Sequence, residues 1–482
     1  MIAEPHLHIR RADLDGRLVD VTVGNIGGSA TIIAIDPHRA GSGRRGDEFD
    51  ARGGAIIPGL HDHHIHLLAL AAARTSVDIS GLDAGEALQA IGHRARAGRD
   101  EWMRVVGLHD RHEAVHPWDA DVLDSVAPGA RIRVQHRSGA MWVLSHTAMA
   151  ELGLLGGPIA AAEGARGEID DRGAPTGRWY GLDAFIRRRA PQQSLDLTSL
   201  GRELASYGVT GVTDATPTDR RKDFALLSEA ARRPGFPIVQ VTGAVSVTEH
   251  PAPLRVGPVK LLPADHSEFD LASITRDIDR AHRVGRAVAI HCVSRIGLVV
   301  ALAAWEDAGV MAGDRVEHGG IIDPDSLERI AQLQLTVVTQ PNFIAERGDD
   351  YQRDVDADDQ PYLYRCGTLI DRGIAVAGST DAPFGHPDPW RAIAAATDRR
   401  TASGAIVGDN ERITARQALE MFLSPLDAPS GPPRVLEVGA PADLCVLATP
   451  ITHALTAPRE VQIAATIRAG DLSAWGDSAA RH

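Results

Sequence analysis

Short β-branched runs alternate with segments of helical periodicity through the middle of the chain. Apolar residues recur at helical spacing within Leu271–Ala281, Gly285 ends that helix, and Ala287–His291 follows as a buried strand. The same unit returns as Leu302–Gly309 followed by Arg315–His318. Repeats of this kind are typical of an α/β fold in which a helix separates successive parallel strands.

Eight strands of this type can be counted. One ends at His66, and the others are Val209–Thr213, Ile238–Thr242, Pro258–Leu262, Ala287–His291, Arg315–His318, Leu335–Gln340 and Ile374–Thr380. Eight parallel strands with helices between several of them predict a closed (β/α)8 barrel of the TIM type.

Both ends of the chain have no helical period and carry short β-runs instead. These runs are His6–Arg11, Leu18–Val23 and Thr31–Ile35 at one end, and Ala442–Leu447 and Val461–Ile467 at the other. Two β-rich ends around a long middle predict one small sheet domain built from residues 1–56 and 431–482. The barrel is then expected to occupy residues 57–430.

One segment interrupts the alternation. Roughly 130 residues separate His66 from Leu200, far more than a connection between strand and helix needs. The segment holds its own predicted strand, Arg131–His136, together with apolar helix signals and turn clusters. We expect an inserted subdomain at about residues 78–195, after the first barrel strand and beside the barrel mouth.

Composition narrows the possible partners. The formal net charge is −14, which argues against nucleic acid and against an anionic membrane surface. No apolar run approaches the length of a membrane span, and the first residues have no signal-peptide pattern. Three widely separated cysteines indicate the cytoplasm rather than a disulfide framework. A small-molecule substrate is therefore expected. The oligomeric state is open, a homodimer being common for such folds.

Residues able to bind a metal ion lie at the predicted strand ends. They are His64, His66, Lys260, His291, His318 and Asp381. In a (β/α)8 barrel the carboxyl ends of the strands share one rim, so these side chains should converge. Each residue alone has an ordinary structural explanation, such as a hydrogen-bonded core histidine or a helix cap. Six such residues at one rim indicate a metal centre with nitrogen and oxygen ligands.

The same stretches form a recognisable set of motifs. They are Pro58-Gly-x-x-Asp-x-His-x-His66, Val259-Lys260, His291, Arg315-Val-Glu-His318, Gln340-Pro341 and Gly378-Ser-x-Asp-Ala-Pro383. This pattern resembles the amidohydrolase superfamily, and within it amidohydrolase family 3, which includes enzymes similar to N-substituted formamide deformylase. The resemblance extends over nearly the whole chain.

The resemblance implies a (β/α)8 barrel with a small β-sandwich formed by both termini. It also implies a hydrolytic site with one or two divalent ions. His64, His66 and Asp381 would hold one ion, and His291 and His318 a second, with Lys260 bridging them as a carbamate. Zinc is favoured by imidazole and carboxylate ligands, while manganese, nickel and iron stay open.

The expected reaction is hydrolysis of a C–N bond, of the amide or cyclic amide type, by hydroxide generated from metal-bound water. Asp381 would take the proton from the nucleophile and return it to the leaving nitrogen, with His318 as a second catalytic group. Two departures affect the surroundings of the ligands. Family members often follow the lysine with Asp-Gly, whereas this chain continues to Asp265 and His266. Cys292 replaces the glycine common after the strand-five histidine, and we expect it to pack in the core.

Further residues near the predicted rim are candidates for contact with a substrate. The candidate substrate contacts are polar or aromatic and comprise His136, Arg137, Trp179, Tyr180, Asn342 and Trp390.

His112-Glu-Ala-Val-His116 matches a zinc-protease motif, but that chemistry needs a helix and Pro117 disfavours one. A polar loop is expected there, and His61, His63 and His109 are expected to be loop residues or neighbours of the ligands.

Two alternatives remain beside the binuclear hydrolase. A mononuclear deaminase would use His64, His66, His291 and Asp381 and leave Lys260 unmodified. A catalytically silent scaffold would keep the fold alone. Silent relatives are expected to lose ligands, and this chain has all six.

Overall fold

The computed structural model describes residues 4–39, 47–98, 102–114, 116–139, 141–155, 165–190, 195–218, 220–245, 251–263 and 269–475. Asp265 and His266, named above as a departure from the family pattern, lie outside the described residues, as does Val115 of the protease-like motif. The chain divides into two compact units, one of residues 1–67 and 197–482 and the other of residues 68–196.

The first unit begins with an antiparallel sheet extended by one parallel edge strand. Its strands are β1 (Glu4–Leu14), β2 (Arg17–Ile26), β3 (Ser29–Pro37) and β4 (Asp47–Asp50), in the order β3-β2-β1-β4. The next strands are β5 (Ile56–Pro58) and β6 (Leu60–Ile65), and helix α1 (Leu67–Arg74) follows. Gly59 separates β5 from β6 where a side chain has no room, because a Cβ there would lie 2.2 Å from Thr210.

The second unit contains one mixed six-stranded sheet, ordered β11-β12-β10-β9-β8-β7. Its strands are β7 (Val77–Asp78), β8 (Trp102–Leu108), β9 (Arg131–His136), β10 (Met141–Leu144), β11 (Arg166–Ile169) and β12 (Pro175–Tyr180). Its helices are α1, which belongs to this unit from Leu68 onward, α2 (Ala84–Ala97), α3 (Ala120–Val126), α4 (His146–Leu152) and α5 (Asp183–Arg189).

The chain then returns to the first unit and completes an eight-stranded parallel sheet that starts with β6. The added strands are β13 (Val209–Asp214), β14 (Ile238–Gly243), β15 (Arg255–Leu261), β16 (Val288–Cys292), β17 (Arg315–His318), β18 (Thr336–Thr339) and β19 (Val376–Gly378). The helices of this region are α6 (Leu197–Ser206), α7 (Arg221–Ala231), α8 (Leu271–Arg283), α9 (Arg295–Ala308), α10 (Pro324–Gln332), α11 (Asn342–Asp354), α12 (Cys366–Asp371), α13 (Pro389–Asp398) and α14 (Ala415–Glu420).

The strands follow one another in sequence order around the sheet, and every adjacent pair is parallel. The residues after β19 then meet β6. The amide of Asp381 donates to the carbonyl of His64 (2.9 Å), and the amide of His66 donates to the carbonyl of Ala382 (2.8 Å). These bonds join the last strand segment to the first at their carboxyl ends. The predicted mixed α/β fold with an eight-stranded, nearly closed parallel barrel is confirmed.

The C-terminal segment adds β20 (Leu444–Leu447), helix α15 (Ile451–Thr456), β21 (Ile463–Arg468) and β22 (Asp471–Ala474). Its sheet has the order β22-β21-β20-β5, so residues 57 and 58 pair with this sheet, whereas they were expected in the barrel. Apolar side chains from both ends of the chain share one core, among them Leu7, Val21, Leu444 and Ile467.

One predicted helix had the wrong start. The segment expected as Leu302–Gly309 is the second half of α9, which begins at Arg295. The hydroxyl of Ser294 accepts a hydrogen bond from the amide of Gly297 and caps the helix there. The β-branched residues of the first turns obscured the helical pattern. Among the described residues, no helix is long and apolar enough to cross a lipid bilayer.

A buried carboxylate joins several elements at the amino ends of β16 and β17. Asp314 accepts hydrogen bonds from the indole of Trp305 (3.0 Å), the imidazole of His282 (3.0 Å) and the amides of Val288 (2.8 Å) and Met311 (2.9 Å). Through these bonds one side chain connects α8, α9 and two barrel strands. A buried charge with this many donors contributes strongly to stability only while all of them are paired.

Replacing Asp314 by alanine is expected to lower the free energy of unfolding by about 3–5 kcal/mol, because three buried N–H groups and an imidazole lose their acceptor. Chemical denaturation followed by tryptophan fluorescence measures the change. The matched control is Asp307→Ala, an exposed aspartate of α9, which should change stability by less than about 0.5 kcal/mol. A loss below about 1 kcal/mol for Asp314→Ala would contradict the expectation.

Candidate metal centre

The predicted ligands occupy the carboxyl ends of the barrel strands. His64 lies near the end of β6 and His66 just after it, while Lys260 and His291 each stand one residue before the end of their strands. His318 is the last residue of β17, and Asp381 follows β19 by three residues. Residues more than three hundred positions apart are thereby brought to one rim.

Four imidazoles form a chain of neighbouring rings. The ring centroids of His64 and His66 are 5.3 Å apart, and those of His64 and His318 are 4.7 Å apart. His291 continues the chain, with its ring centroid 4.6 Å from that of His318. The side chains proposed for two ions therefore lie side by side.

The backbone conformation of Asp381 places its carboxylate beside these imidazoles. Its φ of 55° is in the left-handed region, which a non-glycine residue rarely adopts, and His318 has a φ of 71°. Such conformations concentrate at functional sites. The Oδ1 atom of Asp381 lies 3.2 Å from Nε2 of His66 and 3.6 Å from Nε2 of His64. Ligand atoms of these three residues all lie within 4.8 Å of one another, which is the spacing of a metal-binding set.

Each of three imidazoles is held through its Nδ1 atom by a different group. Glu317 Oε2 lies 2.5 Å from Nδ1 of His64, and Gln340 Oε1 lies 2.9 Å from Nδ1 of His318. Thr216 Oγ1 lies 3.1 Å from Nδ1 of His66. The acceptor oxygens of Glu317 and Gln340 require a proton on Nδ1, which leaves Nε2 of His64 and His318 with a lone pair.

The unpaired atoms of the site fit a cation. Nε2 of His64 and the carboxylate oxygen of Asp381 both carry lone pairs and face each other, an arrangement that is repulsive without a positive charge between them. Oδ1 of Asp381 is buried without a hydrogen-bond partner, and so is Nζ of Lys260. Buried polar atoms are nearly always paired, so these two indicate a ligand. The donor set matches a divalent ion that accepts imidazole and carboxylate.

Lys260 is chemically distinct within this chain. Only two of the 50 basic residues are lysines, Lys222 and Lys260, and Lys260 is the buried one. Burial lowers its pKa, against the opposing charges of Glu317 and Asp381, and so favours the neutral amine. A neutral amine can add CO2 to form a carbamate, whereas a guanidinium cannot.

Burial also sets the protonation state of the imidazoles. It lowers the pKa of His64 to about 4. Burial likewise holds the pKa of His318 well below its ordinary value. Burial alone would raise the pKa of Asp381, but the neighbouring imidazoles, His66 first, hold it below the usual range. At pH 7 the imidazoles of His64 and His318 are therefore neutral and lie beside the ionised carboxylate of Asp381.

The residues around the ligands were mostly missed by sequence reasoning. Asp214 accepts hydrogen bonds from the amides of Leu67 (2.9 Å) and Thr216 (3.0 Å), so it fixes the turn that carries His66. Asp62 accepts from the amides of His64 and Thr380 and from the Thr380 hydroxyl, which holds both sides of the barrel closure. Asp62 was already part of the motif that ends at His66, whereas the only signal for Asp214 was a polar residue directly after the predicted strand Val209–Thr213.

His61 and His63 were expected to be loop residues or neighbours of the ligands, and the first alternative is wrong, because neither lies in a loop. Both belong to β6 and are buried. Nδ1 of His61 lies 2.9 Å from the carbonyl of Ser424, and Nε2 of His63 lies 2.9 Å from the hydroxyl of the same residue. They alternate along the strand with Asp62 and His64, so they pack the first strand against the segment after α14.

Two of the six candidate substrate contacts lie in the barrel unit. The Nδ2 group of Asn342 donates to the carbonyl of Thr380 (3.2 Å), which places Asn342 beside Asp381, and its Oδ1 is buried without a partner. Trp390 is buried on α13 with its indole N–H unpartnered. Phe384, which was not predicted, lies edge-on to His66 with ring centroids 5.6 Å apart.

The other four candidates lie in the second unit. Trp179 packs in that unit's hydrophobic core, and the Tyr180 hydroxyl donates to Glu168 (2.8 Å). His136 ends β9 and its Nδ1 is 2.9 Å from the hydroxyl of Ser138, with Arg137 next to it. Their role toward a substrate stays a prediction.

The protease-like motif is not a zinc site. His112 lies in the 3-10 turn Asp110–Glu113, where its Nδ1 accepts from the amide of His109 (3.0 Å) and its Nε2 lies 3.0 Å from the carbonyl of Leu82. Both ring nitrogens are therefore engaged. The described part of this motif forms no α-helix, which agrees with the expectation from Pro117, although His112 is buried rather than in a polar loop.

The model of the amidohydrolase family Amidohydro_3 matches residues 47–474. The chain belongs to the amidohydrolase family. The resemblance inferred from the motifs is thus confirmed, and the assignment supports a hydrolase acting on C–N bonds. N-substituted formamide deformylase of Arthrobacter pascens is 26% identical, over 92% of this chain and 93% of that protein.

Two solved structures share the fold of this amidohydrolase. An uncharacterized metal-dependent hydrolase from Pyrococcus horikoshii OT3 aligns with a TM-score of 0.67 and 18% identity, over 92% of this chain and 96% of the other. N-isopropylammelide isopropylaminohydrolase from Burkholderia multivorans ATCC 17616 aligns with a TM-score of 0.52 and 17% identity, over 98% of each chain. At these identities the likeness establishes the fold.

Proposed function

We propose that this protein is a metal-dependent hydrolase that cleaves an amide-type C–N bond of a small molecule. The observation that carries the proposal is the pair of unpaired buried atoms, Nζ of Lys260 and Oδ1 of Asp381, at the carboxyl ends of the barrel strands. They lie with the neutral imidazoles of His64 and His318. Because its relative from Arthrobacter pascens is named for N-substituted formamides, these are the first substrates to assay.

Each side chain has a defined task in the proposed reaction. His64, His66 and Asp381 would hold one divalent ion, and His291 and His318 a second, with Lys260 between them. A bound divalent ion supplies a water of near-neutral pKa and polarises the carbonyl. Asp381 accepts the proton of the attacking water at a carboxylate oxygen and delivers it to the leaving nitrogen. His318, whose Nδ1 is held by Gln340 and whose Nε2 carries a lone pair, would act in catalysis through the ion that it binds.

The proposal extends to the identity of the metal, the domain organisation and one substrate contact. Zinc is the favoured ion because imidazole and carboxylate are its usual ligands outside thiolate sites. The two terminal sheets that share one core support a small β-sandwich domain at residues 1–56 and 431–482, beside a barrel at 57–430 that carries the insertion. Asn342 is the candidate substrate contact with the strongest support, since its unpaired Oδ1 can accept an N–H from an amide. We also propose that the protein is a homodimer and is located in the cytoplasm.

Lys260→Arg is expected to reduce the metal content from two ions per chain to one and to lower kcat/KM by about a hundredfold or more, because arginine cannot form the bridging carbamate. Metal content is measured by mass spectrometry of the purified protein. In protein equilibrated with 13C-labelled bicarbonate, 13C NMR should give a carbamate signal that disappears in the variant.

Lys222→Arg is the matched control, since Lys222 is the only other lysine and is exposed. It should retain the carbamate signal, both ions and full activity. One ion in the wild type and no carbamate signal would instead favour the mononuclear deaminase, which uses an unmodified Lys260. A wild type that binds no divalent ion would refute the proposed function.

A further inference from the structure

The groups that face Nδ1 of His64 and Nδ1 of His318 differ in charge. Glu317 presents a carboxylate to His64, whereas Gln340 presents a neutral amide to His318. The Gln340 amide N–H in turn donates to the hydroxyl of Ser379 (2.9 Å), so this chain of hydrogen bonds carries no charge. This contrast indicates that the two halves of the site differ in their affinity for a metal ion.

Glu317 is held by a second buried charge. Nε of Arg315 donates to Oε1 of Glu317 at 2.7 Å, and Nη2 of Arg315 donates to the carbonyl of His63 at 3.3 Å. Arg315 and Glu317 expose 1% or less of their side chains. The pair therefore links β17 to β6, two strands that are not neighbours in the sheet, through the interior of the barrel.

A buried ion pair of this kind adds little to the stability of the fold by itself. Removing two charges from water is unfavourable, and an apolar pair of similar volume is often equally stable in a core. A carboxylate on the far nitrogen of a histidine ligand fixes the ring and its tautomer and makes the coordinating nitrogen more basic. Glu317 meets this description, because its other oxygen is already occupied by Arg315 and only Oε2 addresses the ring.

We propose that Arg315 and Glu317 are a positioning pair that makes His64 the anchoring ligand of the metal centre. The ion at His64, His66 and Asp381 then binds first and more tightly than an ion at His291 and His318. This inference rests on the proposed function, because it presumes that a divalent ion binds. Neither residue of the pair contacts the substrate; both act through His64.

The test is a Co2+ titration of the full-length protein after metal removal, followed by visible absorption. The wild type should bind in two steps of unequal affinity. Glu317→Gln keeps the shape but replaces the charge by an amide, and it is expected to weaken the tighter step by about ten- to a hundredfold while the second step stays within about threefold. The absorption bands of the first ion should shift, since its ligand field changes.

Two further variants separate positioning from a structural role. Glu306→Gln removes a carboxylate that also pairs with an arginine at 2.7 Å, but on the surface, and should leave both steps unchanged. Glu317→Asp keeps the charge but is too short to reach His64, and should reproduce the weakened first step. It also serves if Glu317→Gln does not fold.

The outcomes are distinct. A first step within twofold of the wild type in both Glu317 variants, with only the melting temperature lowered, would overturn the positioning role. Equal affinities for two ions in the wild type would overturn the predicted order of binding. A wild type that binds no Co2+ would refute the proposed function itself.

Discussion

Asp381→Asn is expected to lower kcat by about a thousandfold or more while most of the bound metal is retained. Asparagine has the same shape and keeps one oxygen near the Nε2 atoms of His64 and His66, which lie 3.6 and 3.2 Å from Oδ1 in the native site. It cannot accept the proton of the attacking water. The low pKa of Asp381 means that the native carboxylate is ionised and ready to do so at neutral pH.

Steady-state kinetics with an N-substituted formamide and metal analysis of the same sample measure the two quantities together. The control is Asp371→Asn, an exposed aspartate of α12, which should leave both unchanged. Activity of the Asp381 variant within about tenfold of the wild type would remove Asp381 from proton transfer. Loss of both metal and activity would limit it to a ligand.

Removal of metal by a chelator is expected to reduce activity by more than about a thousandfold and to lower the melting temperature. Without an ion, no group in the site generates a nucleophile from water at pH 7. An ion that binds only the folded chain adds about 2.7 kcal/mol of stability at a hundred times its Kd. Activity and melting temperature should return together when a divalent ion is added back.

The double variant His64→Ala and His66→Ala tests that the response comes from this site. Its melting temperature should not respond to chelator or to added metal, whereas the exposed His453→Ala control should behave as the wild type does. A chelated protein that stays fully active would contradict the metal-dependent mechanism. An undiminished thermal response of the double variant would place the ion elsewhere.

The barrel could be predicted because its strands are buried on both faces. Such strands are continuous apolar or β-branched runs, and the intervening helices carry a clear period. Arg315–His318 was predicted with the bounds that β17 has, and Val209–Thr213 with an error of one residue. The start of α9 was missed because Ile296, Val299 and Val300 are β-branched, and tertiary packing outweighs that local preference.

The candidate ligands could be named from the sequence because barrel topology places all strand ends at one rim. The conformation that joins them could not be read from it. Strand alternation puts Glu317 and His318 on opposite faces, yet both approach His64, because the positive φ of His318 interrupts the alternation. The same holds for Asp381, whose position depends on a positive φ and on two backbone hydrogen bonds to the first strand.

The sequence by itself determined the order of the elements, the family and the identity of the candidate ligands, since each depends on residue types and their periodic spacing. Tertiary structure alone decided which nitrogen of His64 and of His318 is held by a hydrogen bond, which buried atoms lack partners and which carboxylate supports the ring of His64. Those properties depend on contacts between residues as distant in the sequence as His64 and Glu317, and such contacts cannot be predicted from a local sequence pattern.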